Sequence, residues 1–127
     1  MLYAILCYND EAAVEAWPKE KDDAVIARRR QVTDALAVNG KLGPVLRLMP
    51  TTAATTVRYG KEPLVLDGPF AETKEQLLGL YVIDCASLEE AIETAKRIGG
   101  NEDRGTFEIR PLRYCNAGAL ALENLSA

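Results

Sequence analysis

The chain has 127 residues, 48% hydrophobic and 27% charged, a balance that fits one compact globular domain and excludes a fibre or a disordered tail. Fifteen Lys and Arg against 19 Asp and Glu leave a formal charge of -4, which repels polyanions and argues against a nucleic-acid partner. Histidine is absent, so Ser–His and Cys–His catalysis and imidazole metal ligation are excluded, and any proton transfer falls to a carboxylate, lysine, tyrosine, cysteine or bound water.

Residues 2–8 are apolar or aromatic at every position, the pattern of a central strand covered on both faces. Between residues 22 and 39, Val25, Val32, Leu36 and the small Ala24, Ala35 and Ala37 recur near helical spacing, while Arg28, Arg29, Arg30, Gln31 and Asp34 fill most of the rest. Asn39-Gly40 stops that helix, and its start lies between Pro18 and Asp22 or Asp23. Gly43-Pro44, Pro50 and a run of threonines make residues 41–56 a bent segment, with at most a short edge strand at 45–49. Residues 55–59 and 64–67 read as a hairpin around Gly60-Lys61-Glu62-Pro63. Residues 78–84 form a second apolar strand. Ser87-Leu88-Glu89-Glu90 has the form of a capping box, Leu88, Ala91, Ile92, Ala95 and Ile98 follow as one stripe, and Gly99-Gly100 ends the helix. Phe107-Glu108-Ile109-Arg110 alternates before Pro111, as in a strand with one dry face. Residues 114–127 read as a short helix packed on a partner or as a frayed tail.

The order β-α-β, inserted hairpin, β-α-β predicts a ferredoxin-like α+β sandwich with both helices on one side of the sheet, a single domain over residues 1–127 with 114–127 as its C-terminal tail. Alternation assigns Tyr3, Ile5, Tyr81 and Ile83 to the other side, which a chain this short covers with a second copy of itself, so a homodimer is expected. Cys7, Cys85 and Cys115 lack metal-type spacing and read as reduced thiols, Cys7 and Cys85 as small buried apolar residues. No metal and no cofactor is implied. No apolar run reaches the roughly 18–20 residues a bilayer requires and Met1 leads straight into the first strand, so a cytoplasmic protein off the membrane is expected.

Asp67-Gly68-Pro69-Phe70, followed by Ala71-Glu72-Thr73-Lys74-Glu75 and the strand from Gln76 to Asp84, resembles the YCII-related family and specifically its DGPF subgroup. Tyr3 and Tyr8 in the first strand, Thr56-Val57-Arg58, the helix over residues 87–98 and the closing Glu108-Ile109-Arg110-Pro111 extend the resemblance over residues 1 to about 113. It implies a small dimeric ferredoxin-like protein of the dimeric α/β-barrel type, with a cleft between sheet and loops. Some members of the wider family pair a histidine with an aspartate and look like isomerases or dehalogenases of lactone-type molecules. Asp67 matches the motif aspartate, but this chain has no histidine to complete the dyad. The frequent placement of DGPF genes beside extracytoplasmic-function sigma factors implies a regulatory or stress role.

The motif also has a physical reading of its own. Gly68 can take a positive φ, Pro69 fixes its own, and Asp67 either shapes the turn by accepting its amides or points into a cleft lined by Phe70 and Tyr81, where desolvation would prepare it as a general acid or base. Phe70 is a core plug or a stacking ring. Glu72 to Glu75 form a polar cluster in which Lys74 and Thr73 could hold a polar ligand, or a solvated loop with a Thr73–Gln76 cap. Arg28, Arg29 and Arg30 diverge by about 100° per residue and read as a solvated helix face. Glu108 and Arg110 share a strand face as an ion pair or as cleft lining. The candidate ligand-binding set is therefore Tyr3, Asp67, Gly68, Pro69, Phe70, Thr73, Lys74, Tyr81 and Arg110, with Asp67 as the catalytic candidate. Three functions follow from these readings. They are a small-molecule binding module, a lactone isomerase or dehalogenase using Asp67 with Tyr3, Tyr81 or Arg110 as oxyanion donors, and a protein-interaction module.

Overall fold

The computed structural model describes residues 1–101 and 104–121. The opening apolar run becomes β1 (Leu2–Asn9), followed by a short helix α1 (Glu11–Glu15), the long helix α2 (Lys19–Val38) and β2 (Leu42–Arg47). A 3-10 turn at Thr51–Ala53 leads into the hairpin β3 (Thr55–Arg58) and β4 (Leu64–Asp67), and then β5 (Gln76–Asp84), α3 (Leu88–Gly99) and β6 (Thr106–Pro111) complete the regular structure of the described residues. The main sheet has the order β2-β5-β1-β6, antiparallel throughout, which with two helices on one face is the ferredoxin-like α+β fold. The hairpin is a separate two-stranded sheet, and the main sheet of the chain does not close into a barrel.

Local chemistry sets the ends of these elements. The helix α2 begins directly after Pro18, three residues before Asp22, and ends in a complete Schellman arrangement: the Gly40 amide donates to the Ala37 carbonyl at 3.0 Å and the Lys41 amide to that of Leu36 at 2.9 Å. The Asp10 carboxylate caps α1 by accepting from the amides of Ala12 and Ala13 at 3.1 and 3.4 Å. At α3 the Ser87 hydroxyl accepts from the Glu90 amide at 3.2 Å, but the Glu90 carboxylate reaches one residue past the box to the Ala86 amide at 2.8 Å, which holds its carboxyl below the usual range. β2 starts earlier than its sequence indicates and carries Pro44 within an irregular stretch of an edge strand, where a missing amide donor is tolerated.

Packing corrects the assignment of sheet faces. Tyr3, Ile5, Cys7, Tyr81 and Ile83 point toward the helices, where they meet Leu36, Ala91, Ala95 and Ile98 in the core. They are not on the open side. Both faces of β1 are apolar, so alternation separates two sets of residues without saying which set the helices cover. The open face instead carries Ala4, Leu6, Leu80, Val82 and Leu46, with Glu108 and Arg110 in register beside them on β6. The stripe of α3 is rotated as well: Thr94 is fully buried, its hydroxyl donating to the Glu90 carbonyl at 2.8 Å, whereas Leu88 and Ile92 are exposed. Residues 114–121 form neither helix nor strand, and the rest of the expected tail element, 122–127, lies outside the described residues. Among the described residues no helix is long and apolar enough to cross a membrane.

Candidate functional site

The first half of α2 stands off the sheet and leaves a cavity of about 180 Å³ on the helix side. Cys7, Gly79, Tyr81 and Phe107 form its floor, Val25, Ile26, Arg29 and Thr33 of α2 its roof, and Val14 and Trp17 one wall. Gly79 lets β2 approach the floor strand closely: a Cβ there would lie 2.2 Å from the Leu46 carbonyl oxygen of β2. At the mouth, Arg47 of β2 forks onto the Asp22 carboxylate at 2.9 and 3.3 Å and ties the sheet edge to α2. Glu11 anchors α1, the helix that carries Val14 of that wall. Its carboxylate accepts from the amide of Thr51 at 2.9 Å and from the Thr51 hydroxyl, while its own amide donates to the Gln76 side chain at 2.9 Å.

The arginine triplet fans out as helical geometry requires, but it is not a solvated face. Arg28 turns away to the end of α3, where it donates to the carbonyls of Arg97, Ile98 and Gly99 at 2.9, 2.6 and 3.0 Å. Arg29 turns into the cavity, its guanidinium 5.4 Å from the centroid of the Phe107 ring and its Nε buried without a hydrogen-bond partner. Arg30 is exposed at the rim. Burial raises the Tyr81 phenol above its ordinary value and pushes the Cys7 thiol up to about 11, with the Arg29 charge opposing both shifts. Cys7 is thus a neutral floor group and not a nucleophile at neutral pH.

That shift has a pH consequence. Because the folded pKa of Cys7 lies above that of the unfolded thiol, the contribution to stability is complete below about pH 9 and is lost as pH rises toward about 11. Urea midpoints measured from pH 8 to 11 are expected to decline, and Cys7→Ala to flatten the decline.

Of the sequence candidates, Tyr81 alone lines this cavity. Tyr3 is in the core. Asp67 closes β4 with its side chain exposed. The Gly68 amide donates to the Ala54 carbonyl at 2.7 Å, not to Asp67, and Gly68 has φ +92°, while its carbonyl accepts from the Thr56 hydroxyl at 2.7 Å. Pro69 and Lys74 are exposed, and Phe70, 77% exposed, is no core plug. The loop clasp at Thr73 is not a helix cap, since the Gln76 side-chain Nε2 donates to the Thr73 carbonyl where β5 begins and the Thr73 hydroxyl donates to the Glu75 carbonyl. Arg110 is exposed on the open face of β6. Sequence reasoning missed Arg29, Cys7, Trp17 and Phe107 as a group. A usable signal was present: Arg29 sits four residues after Val25, four before Thr33 and seven before Leu36, a cation inside the apolar stripe of its helix. Among the described residues no cluster of Cys, Asp and Glu gathers in a way that could hold a metal ion.

Fold and site together define a ferredoxin-like α+β protein with an arginine-lined cavity beneath its long first-half helix. The YCII-related domain matches residues 1–116, and an uncharacterised protein of Rhizobium meliloti (strain 1021) is 53% identical over 122 residues, which cover 94% of this chain and 98% of that protein. The chain belongs to the YCII-related family.

Proposed function

We propose that this protein is a small-molecule binding module whose ligand occupies the cavity between α2 and the sheet. The observation that carries the reading is the Arg29 Nε, buried in the cavity roof with no acceptor, above a floor of neutral side chains. Buried polar groups in folded proteins are almost always satisfied, so an arginine with an unpaired donor in the roof of a space large enough for a ring marks a place for a ligand's acceptor. Trp17, the single tryptophan, lines the same space and reports its occupancy. A fragment library titrated against Trp17 fluorescence and against the backbone amides of Cys7, Arg29 and Phe107 tests the reading. Hits are expected to move all four signals and to lose their effect in Val45→Trp, which plugs the mouth from an exposed edge-strand position. A library that moves none of them overturns it. Asp67→Asn is expected to leave the affinity of such hits within about twofold, because Asp67 does not line the cavity; a tenfold loss would instead favour a site at the Asp-Gly-Pro-Phe corner.

The functional unit in this reading is a homodimer formed through the open face of the sheet. Leu46 is half exposed there beside Leu6 and Leu80, and the hairpin adds exposed Val57, Leu64, Val65 and Leu66. An isolated two-stranded hairpin is marginal in water, and a partner surface would give it the cover it lacks. Sedimentation equilibrium at micromolar concentration is expected to return twice the chain mass, with Leu80→Lys shifting it to the monomer. A wild-type monomer under those conditions would remove the dimer from the proposal.

A further inference from the structure

The cavity has a charge pattern that points to one class of ligand. Among the described residues, four arginines, Arg29, Arg30, Arg47 and Arg104, line it against a single carboxylate, Asp22, and that carboxylate is already engaged by the Arg47 fork. Among the described residues no acid forms an ion pair with Arg29. The rest of the lining is uncharged, and much of it is hydrocarbon: Phe107 and Trp17 offer ring faces, Val25, Ile26 and Leu78 offer branched ones, and Asn9, Thr33 and Tyr81 add neutral polar groups. The volume is slightly larger than that of a dry protein cavity of about 150 Å³ known to take benzene, which leaves room for one ring and a small head group.

Resting on the cavity as the ligand site, we propose that the ligand is a small apolar monocarboxylate, with an aromatic ring or a branched chain, whose carboxylate docks on the Arg29 guanidinium. A guanidinium presents parallel N–H donors at the spacing of two carboxylate oxygens, so a single contact can be bidentate. The Tyr81 hydroxyl, on the floor of the same cavity, is a third donor, and the protonated Cys7 thiol adds no opposing charge. The ring then lies toward Phe107 and Trp17. A phosphate dianion fits this site poorly, because it brings no apolar part for those walls and demands more donors than the dry half of the cavity provides. A cationic ligand meets like charge.

The test uses the full chain and four probes: benzoate, its neutral isostere benzamide, benzylammonium and inorganic phosphate, each titrated by Trp17 fluorescence and by amide shifts around Arg29. Benzoate is expected to bind at least tenfold more tightly than benzamide, with benzylammonium and phosphate leaving the cavity amides unmoved at the same concentrations. Arg29→Gln, checked by far-UV circular dichroism for an intact fold, is expected to weaken benzoate at least tenfold and erase its advantage over benzamide. The wild-type series stands by itself if that variant does not fold. Benzamide or benzylammonium binding as well as benzoate overturns the carboxylate assignment while leaving the cavity as a binding site. Phosphate matching benzoate overturns the apolar half of the assignment. Silence from all four probes and from the fragment library overturns this inference and the binding-module reading together.

Discussion

Replacing Gly79 with alanine is expected to destabilise the protein by about 3 kcal/mol or more, at the upper end of what overpacking costs. The added methyl carbon would lie 2.2 Å from the Leu46 carbonyl oxygen and 3.2 Å from the Arg47 Cα, both backbone atoms with no rotamer to yield. Relief requires β2 to move away from β5. That strand is held at this point by the Leu46↔Leu80 and Arg47↔Gly79 pairs and by the Leu48 amide donating to the Leu78 carbonyl at 2.8 Å, so retreat breaks the ladder at the sheet edge. For a chain of this length the loss corresponds to a Tm lower by roughly 10 °C or more. Hydrogen exchange should localise the damage to the amides of β2, with those of β1 and β6 still protected. A Tm within 2 °C of wild type would mean that the close approach of β2 to Gly79 is not a feature of the folded protein. The same substitution intrudes on the cavity floor, so any residual folded protein is expected to bind cavity ligands poorly.

The fold was legible in this sequence because its signals are local and redundant. The apolar runs of β1 and β5, the Asn39-Gly40 stop and the serine-headed stripe of α3 each follow from spacing alone, and together they restrict the topology to a single pattern. The face of the sheet was not legible. β1 is apolar at both parities, and which parity the helices cover depends on the direction in which two connections cross, a non-local property. The cavity was hidden for a related reason. Its members come from β1, α1, α2, β2, β5 and β6, and only Arg29 departs from its local pattern, by standing in an apolar stripe. The Asp-Gly-Pro-Phe motif marks the family in sequence, but none of its four residues lines the cavity. In the fold the motif stands at the base of the hairpin, tied there by the bonds of Gly68 to Ala54 and Thr56.

Arg28→Ala is expected to cost about 3 kcal/mol, although a run of three arginines on a helix invites the opposite expectation of no effect. The last carbonyls of any helix lack intrahelical donors, and here three of them, at Arg97, Ile98 and Gly99, accept from the one guanidinium. Two of those bonds are partly buried, so truncation leaves acceptors that water reaches poorly, at about 1–3 kcal/mol each, and also removes a cation from the negative end of the α3 dipole. Arg28→Lys keeps the charge but offers a point donor in place of the planar fork, and should recover less than half of the loss. Arg30→Ala, one residue along and exposed, should change stability by no more than about 0.5 kcal/mol. Gly100 gives an independent check, because an added Cβ there would lie 2.5 Å from the Arg28 guanidinium carbon in a residue with φ +60°. In wild type Gly100→Ala carries both the collision and the backbone strain, whereas in the Arg28→Ala background only the strain, about 1–2 kcal/mol, remains. The double-mutant cycle from urea unfolding should therefore show a coupling of at least about 1 kcal/mol. Additive losses would mean that the guanidinium is not seated on the end of α3, and would leave Arg29, the next residue, without the anchor that aims it into the cavity.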